Sequence, residues 1–218
     1  MERFSYLPSN NDDFFICMIC LTKHDARKNN FIFEKEKNPE LVLYDAITPE
    51  VIDFDKKCSK LNFHHNLNLQ KGRKALWLSN LELFEYFLKS NHKYLVAVQD
   101  DATLPQNLKD ILKEKYVNHP GFLRLGGTRL GQFASCNLYN KHCIKNILNS
   151  IKEYPIDRGL DHYISNIPTG TKEKRPLNLY VSLPRLPRWL TSVNNSISKK
   201  SMRMHYDVLC ARHMRQKS

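Results

Sequence analysis

Apolar residues along this chain fall into short continuous runs, separated by polar stretches of helical period. The run in DDFFICMICL (12–21) is unbroken from Phe14 to Leu21 and predicts a strand buried on both faces. The polar TKHDARKNN leads into a helix ending near Lys37, since Pro39 cannot continue it. LVLYDA (41–46) predicts a second strand, and the polar residues 47–72, with His64 and His65 adjacent, predict loops and short helices. In RKALWLSNLELFEYFLKS (73–90), Ala75, Leu76, Leu78, Leu81, Phe84, Phe87 and Leu88 fall on one helical face. Tyr94–Val98 predicts a strand that stops at QDD, before a loop marked by Pro105. PGFLRLGG (120–127) and FASCNLY (133–139) predict further strands, and KHCIKNILNSIK (141–152) an amphipathic helix. IDRGLDHYISN (156–166) predicts a last helix before a loop-rich stretch with Pro168, Pro176, Pro184 and Pro187.

Strands alternating with helices predict an α/β fold, a mixed and mostly parallel sheet flanked by helices. The 218 residues suit one domain, taken as residues 1–195, with 196–218 as a basic tail. A hydrophobic content of 41% is enough for a substantial core, which excludes a wholly disordered chain.

Charge narrows the choice of partner. Lys and Arg number 34 against 22 Asp and Glu, a net +12 that favours phosphate-bearing molecules. The tail contributes Lys199, Lys200, Arg203, Arg212, Arg215 and Lys217 against the single acid Asp207. There is no RGG-like run and no aromatic RNP pattern, so a dedicated nucleic-acid module has little support. No apolar segment approaches a membrane span or a signal peptide, which makes a cytoplasmic protein the expectation, with its thiols reduced. Cys17 and Cys20 form a CxxC inside the first strand; no second pair completes four zinc ligands, so both are taken as core residues.

The candidate chemistry lies at Asp100 and Asp101, adjacent acids where an apolar strand ends. In open α/β sheets, ligands bind beyond the carboxyl ends of strands, and hard carboxylate oxygens suit Mn²⁺ or Mg²⁺ bridged to phosphates. A doublet alone is more often a solvated loop or a helix cap.

Its surroundings add more. Leu21, Lys23 and Arg27 follow the first strand, and Asp45-Ala46 closes the second. Gly72 and Ser79 keep the spacing of a Gly-x-x-Gly-x-x-x-Ser-His segment, with Ala75 and Asn80 at the other two places. Gln99-Asp100-Asp101 stands where a Glu-Asp-Asp would, and RLGGTRLGQFASCNLYNKHCIKNIL and PIDRGLDHYIS follow in order. Over roughly residues 14 to 185 this order resembles glycosyltransferase family 25, the group of lipooligosaccharide and procollagen galactosyltransferases.

The resemblance implies a compact, Rossmann-like GT-A fold and Mn²⁺- or Mg²⁺-dependent transfer of a hexose from a UDP-sugar to a carbohydrate or protein-linked acceptor, with inversion. It further implies a metal ligand at Asp101 and nucleotide contacts from Thr22, Lys23, Arg27, Asp45, Arg73, Lys74 and Asp100. A histidine near the end of such enzymes often completes the metal site, which points to His205. The catalytic base is Asp161 or Asp157, four residues apart; Asp161 keeps the family's aromatic and aliphatic followers, and Asp157 its preceding proline. A nucleic-acid-binding protein or metal-dependent nuclease is the alternative that the charge and the acid pair also allow, and a catalytically inactive interaction module is a third.

Overall fold

The computed structural model describes residues 3–7, 12–64, 71–118, 122–126, 136–160, 163–164 and 191–192. Asp161, His205, Cys210 and the tail 196–218 lie outside them.

A six-stranded mixed sheet, in the order β1-β3-β2-β4-β7-β6, forms the middle layer. Its strands are β1 (Phe4–Ser5), β2 (Phe14–Cys20), β3 (Val42–Asp45), β4 (Tyr94–Gln99), β6 (Leu123–Gly126) and β7 (Cys136–Asn140). Strand β2 lies parallel to both β3 and β4, while β1 runs against β3 and β7 against its neighbours β4 and β6. Four strands therefore share a direction, and their carboxyl ends form one edge. Every residue of β2 is buried, as its unbroken apolar run requires of a central strand covered on both faces.

Helices among the described residues pack over the sheet: α1 (Asp25–Lys37), α2 (Phe54–Ser59), α3 (Lys71–Lys89), α4 (Leu108–Tyr116) and α5 (Lys141–Glu153). Side chains alternate across each strand, so one face of β2 and β4 (Phe15, Cys17, Leu95, Ala97) packs on Trp77, Phe84 and Phe87 of α3 and Ile144 and Ile147 of α5. The other (Ile16, Met18, Val96, Val98) packs on Phe31 of α1 and Leu108 and Leu112 of α4. Helix α2 rests on α3 through Phe54, Ala75 and Leu78. The expected Rossmann-like α/β fold is present.

Helix boundaries follow local chemistry. Helix α1 ends at Lys37, two residues before Pro39. At the start of α5 the Asn140 side chain accepts from the Cys143 N–H at 2.7 Å, so β7 turns into the helix without a loop. The described part of 156–166 is helical from Leu160, with the Tyr163 N–H donating to the Gly159 carbonyl at 2.9 Å, whereas Ile156 makes a bridge with Phe63. Helix α4 fills a stretch beyond Pro105 where only a loop was expected. Two-residue strands β5 (Ala102–Thr103) and β8 (Thr191–Ser192) pair with each other.

Cys17 and Cys20 both lie in β2 and face opposite sides of the sheet, one in each core layer. Both are buried free thiols in the core, the place expected of them, and burial raises both thiol pKa values, that of Cys20 to about 12. Among the described residues no helix is long and apolar enough to cross a membrane.

Trp77 couples the layers: it is fully buried, meets Tyr163 edge-on with centroids 5.2 Å apart, and donates from Nε1 to the Arg158 carbonyl at 2.9 Å. Trp77→Phe keeps an aromatic core but strands that carbonyl, and is expected to cost about 2 kcal/mol in chemical denaturation.

Candidate active site at the carboxyl edge of the sheet

The chain leaves β2, β3 and β4 at the same edge, and side chains tie the three exits together. Asp100 is nearly buried, and both its oxygens are used: Oδ2 accepts from the Leu21 N–H and Oδ1 from Arg27 Nη1, each at 2.9 Å. The Thr22 hydroxyl donates to the Asp45 carboxylate, and the Ala46 N–H donates to the Cys20 carbonyl at 2.8 Å. Ser79 of α3 accepts from the Ile47 N–H at 2.8 Å and donates to the Ala75 carbonyl, fixing the chain just beyond β3.

Thr22, Arg27, Asp45, Asp100 and Asp101 are thus brought together, as the sequence suggested. Lys23 joins the same edge but pairs with Glu50 at 2.9 Å on an exposed surface, where such a pair contributes little. Arg73 is exposed in the first turn of α3, and the neighbouring Lys74 ammonium sits 5.4 Å from the Phe63 ring centroid. Asp157 lies on the segment packed over Trp77, gripped by Arg158 through Nε at 2.9 Å and Nη2 at 2.5 Å.

Asp101 differs from its neighbour. Its Oδ2 is 3.5 Å from Arg27 Nη1, and its Oδ1 is buried with no hydrogen-bond partner among the described residues. Burial, above all, raises its pKa; Asp100 adds to the rise and Arg27 opposes it. One acid is spent on the fold and the other is left with an oxygen to give.

That free oxygen fits a divalent cation, within limits. Among the described residues no cluster of three or more His, Cys, Asp or Glu could hold a metal ion. Mg²⁺-like ions are often held by one or two carboxylates, with substrate phosphates and waters supplying the rest. The donor set suits a cation arriving with a diphosphate better than one permanently resident.

A row of residues that the sequence reading passed over holds the acid loop in place. Asn30 Nδ2 donates to the carbonyls of Asp100 and Ala102, both at 3.0 Å. Glu34, fully buried, accepts from the Leu104 N–H at 2.9 Å, and Lys37 donates to the Leu104 carbonyl at 3.0 Å. Asn38 Oδ1 accepts from the Leu108 N–H at 2.9 Å. Asn30 and Glu34 on α1 and Asn38 at its C-cap recur every four residues, a polar stripe at helical spacing that was the available signal.

Comparison with known proteins identifies the family. Residues 14–158, well over half of the chain, match the family described as "Glycosyltransferase family 25 (LPS biosynthesis protein)". A "Putative glycosyltransferase" of Haemophilus influenzae is 28% identical over 104 residues, which cover 46% of this chain and 37% of that protein. The match thus spans little more than a third of that relative's length.

A raised pKa means the folded protein binds the Asp101 proton more tightly than the unfolded chain does. Ionising it therefore costs stability as pH climbs from the ordinary value of 3.8 through the raised one. Without metal or nucleotide, Asp101→Asn is expected to raise the thermal midpoint at neutral pH, with the gain vanishing near about pH 3, where both states are protonated. Arg27→Ala does the reverse, leaving the two adjacent acids without their shared cation at a cost of about 3 kcal/mol at neutral pH.

Proposed function

Because the chain belongs to glycosyltransferase family 25, we propose that it transfers a hexose from a UDP-sugar to a hydroxyl of a glycan or protein-linked acceptor, with inversion and with Mn²⁺ or Mg²⁺. The observation that carries this reading is the buried Asp101 Oδ1, without a hydrogen-bond partner among the described residues, at the carboxyl edge of a Rossmann-like sheet. In this reading Asp101 holds the cation, which supplies Lewis-acid neutralisation of the departing diphosphate. His205 is a further proposed ligand from the tail.

The chain's own residues do the rest. Thr22 and Asp45 hold the exits of β2 and β3 together, giving the nucleotide a rigid floor. Asp100 contributes by fixing Leu21 and Arg27 rather than by touching substrate. Lys23, Arg73 and Lys74 bring positive charge to the phosphate side, and Arg27 keeps the acid pair tolerable in the absence of ligand.

Inverting displacement needs a base that takes the acceptor hydroxyl's proton as the new bond forms. Asp161 is proposed for that role ahead of Asp157. The two-pronged grip of Arg158 occupies the oxygens of Asp157, which suits a carboxylate that shapes its segment.

The binding test uses thermal shift and calorimetry with UDP, UDP-sugars and Mn²⁺. Mn²⁺ alone is expected to bind weakly, and together with UDP tightly. Asp101→Asn should abolish the metal-dependent part while leaving the protein folded. A variant that binds UDP-sugar with Mn²⁺ as well as wild type does would exclude Asp101 as the ligand, and salt-sensitive retention of nucleic acid without any UDP effect would favour a nuclease.

The chemical step is tested separately. Asp161→Asn should keep UDP-sugar affinity and lower turnover by roughly a hundredfold or more. The same pattern in Asp157→Asn, with Asp161→Asn near normal, would reverse the assignment.

A further inference from the structure

The carboxyl edge carries a second polar group, on the side of the sheet away from α1. Along β4 the residues Leu95, Ala97 and Gln99 share the face turned to α3 and α5. Asn137 of β7 lies opposite Ala97 on the neighbouring strand. Gln99, Asn137 and Asn80 of α3, with Ile19 and Leu160, line a recess of about 10 Å³. That is room for about one water-sized group.

The lining is neutral and rich in amides, and it is not self-satisfied. Asn80 and Asn137 are 4% and 6% exposed. Asn80 commits its Nδ2 to the Leu76 carbonyl of its own helix at 2.8 Å. Asn137 Oδ1 is buried and has no hydrogen-bond partner among the described residues. A buried amide oxygen without a donor is unfavourable, and a fold keeps one where a donor is supplied from outside.

A hydroxyl is the group that suits such a lining, since it donates one hydrogen bond and accepts others. A carboxylate or phosphate oxygen has no proton to give Asn137 Oδ1, and among the described residues no cation lines the recess to draw it in. Gln99 immediately precedes the acid pair, so the recess adjoins the place proposed for the diphosphate to which the donor hexose is joined.

We propose that this recess reads one hydroxyl of the donor hexose, which donates to Asn137 Oδ1 and accepts from the Gln99 amide. The inference rests on the function proposed above and adds to it a determinant of sugar choice. Asn80 and Ile19 complete the walls that limit entry to a single small polar group.

The test is calorimetry, with Mn²⁺ present, of UDP alone, of a panel of UDP-hexoses and of their monodeoxy analogues. Wild type should favour one UDP-hexose over one monodeoxy analogue by on the order of tenfold or more, because the missing hydroxyl leaves buried amides unpaired. Asn137→Leu fills the recess with an apolar group of similar size; it should reduce that ratio to within about twofold while affinity for UDP itself is unchanged. Gln99→Met, at a half-exposed position that tolerates change, should do the same and decides the matter if Asn137→Leu fails to fold. A ratio preserved in the folded variants would overturn the proposal, leaving a recess that holds a structural water only. A parallel loss of UDP affinity would overturn it too, by showing that these positions act through the fold. Wild type that binds no UDP rejects the function itself, and the subsite with it.

Discussion

The segment from Asp100 to Leu108 leaves the sheet with backbone groups that must find partners, and helix α1 supplies them. Asn30, Glu34, Lys37 and Asn38 meet five backbone groups of that segment, and Arg27 meets both its acids. Burying amides and carbonyls unpaired is costly enough that this requirement sets the position of the loop. Helix α1 thus has two duties on one cylinder. Phe31 anchors it in the core, and the polar row beside Phe31 acts as a template for the chain that follows β4.

That template divides the labour of the two acids. Asp100 is absorbed into the scaffold, joining the exits of β2 and β4 through Leu21 and Arg27. Asp101 is held beside it under electrostatic and desolvation stress, with an oxygen left over. A chain optimised for stability alone would place a neutral residue there. The unfavourable acid is consistent with a site prepared for positive charge, and Arg27 keeps the empty state affordable.

Much of the architecture was legible because burial leaves strong patterns. The unbroken run of β2 and the single apolar face of α3 could each be read directly. Strand direction carries no such signature, so the antiparallel placement of β7 between β4 and β6 was invisible in the periodicity. Two-residue strands such as β1 and β5 are too short to show any alternation. Helix α4 was readable in principle, since Leu108, Leu112 and Tyr116 recur at helical spacing, but Pro105 drew attention to a loop. The acid pair was singled out by its place at a strand end, and Thr22, Arg27 and Asp45 by the family resemblance. Asn30, Glu34 and Asn38 were not singled out, because the backbone they serve is some seventy residues away.

Strand β1 decides what the β3 end of the sheet presents to its surroundings. β3 would otherwise present an open row of amides and carbonyls at the end of the sheet, a template on which another chain could pair. Phe4 and Ser5 cover that row, and Phe4 is riveted in place by Tyr86, Tyr44 and Phe15, its ring stacking on Tyr86 at 4.1 Å between centroids. With β1 in place, that end of the sheet is a two-residue strand, a length of edge that offers another chain little to pair with.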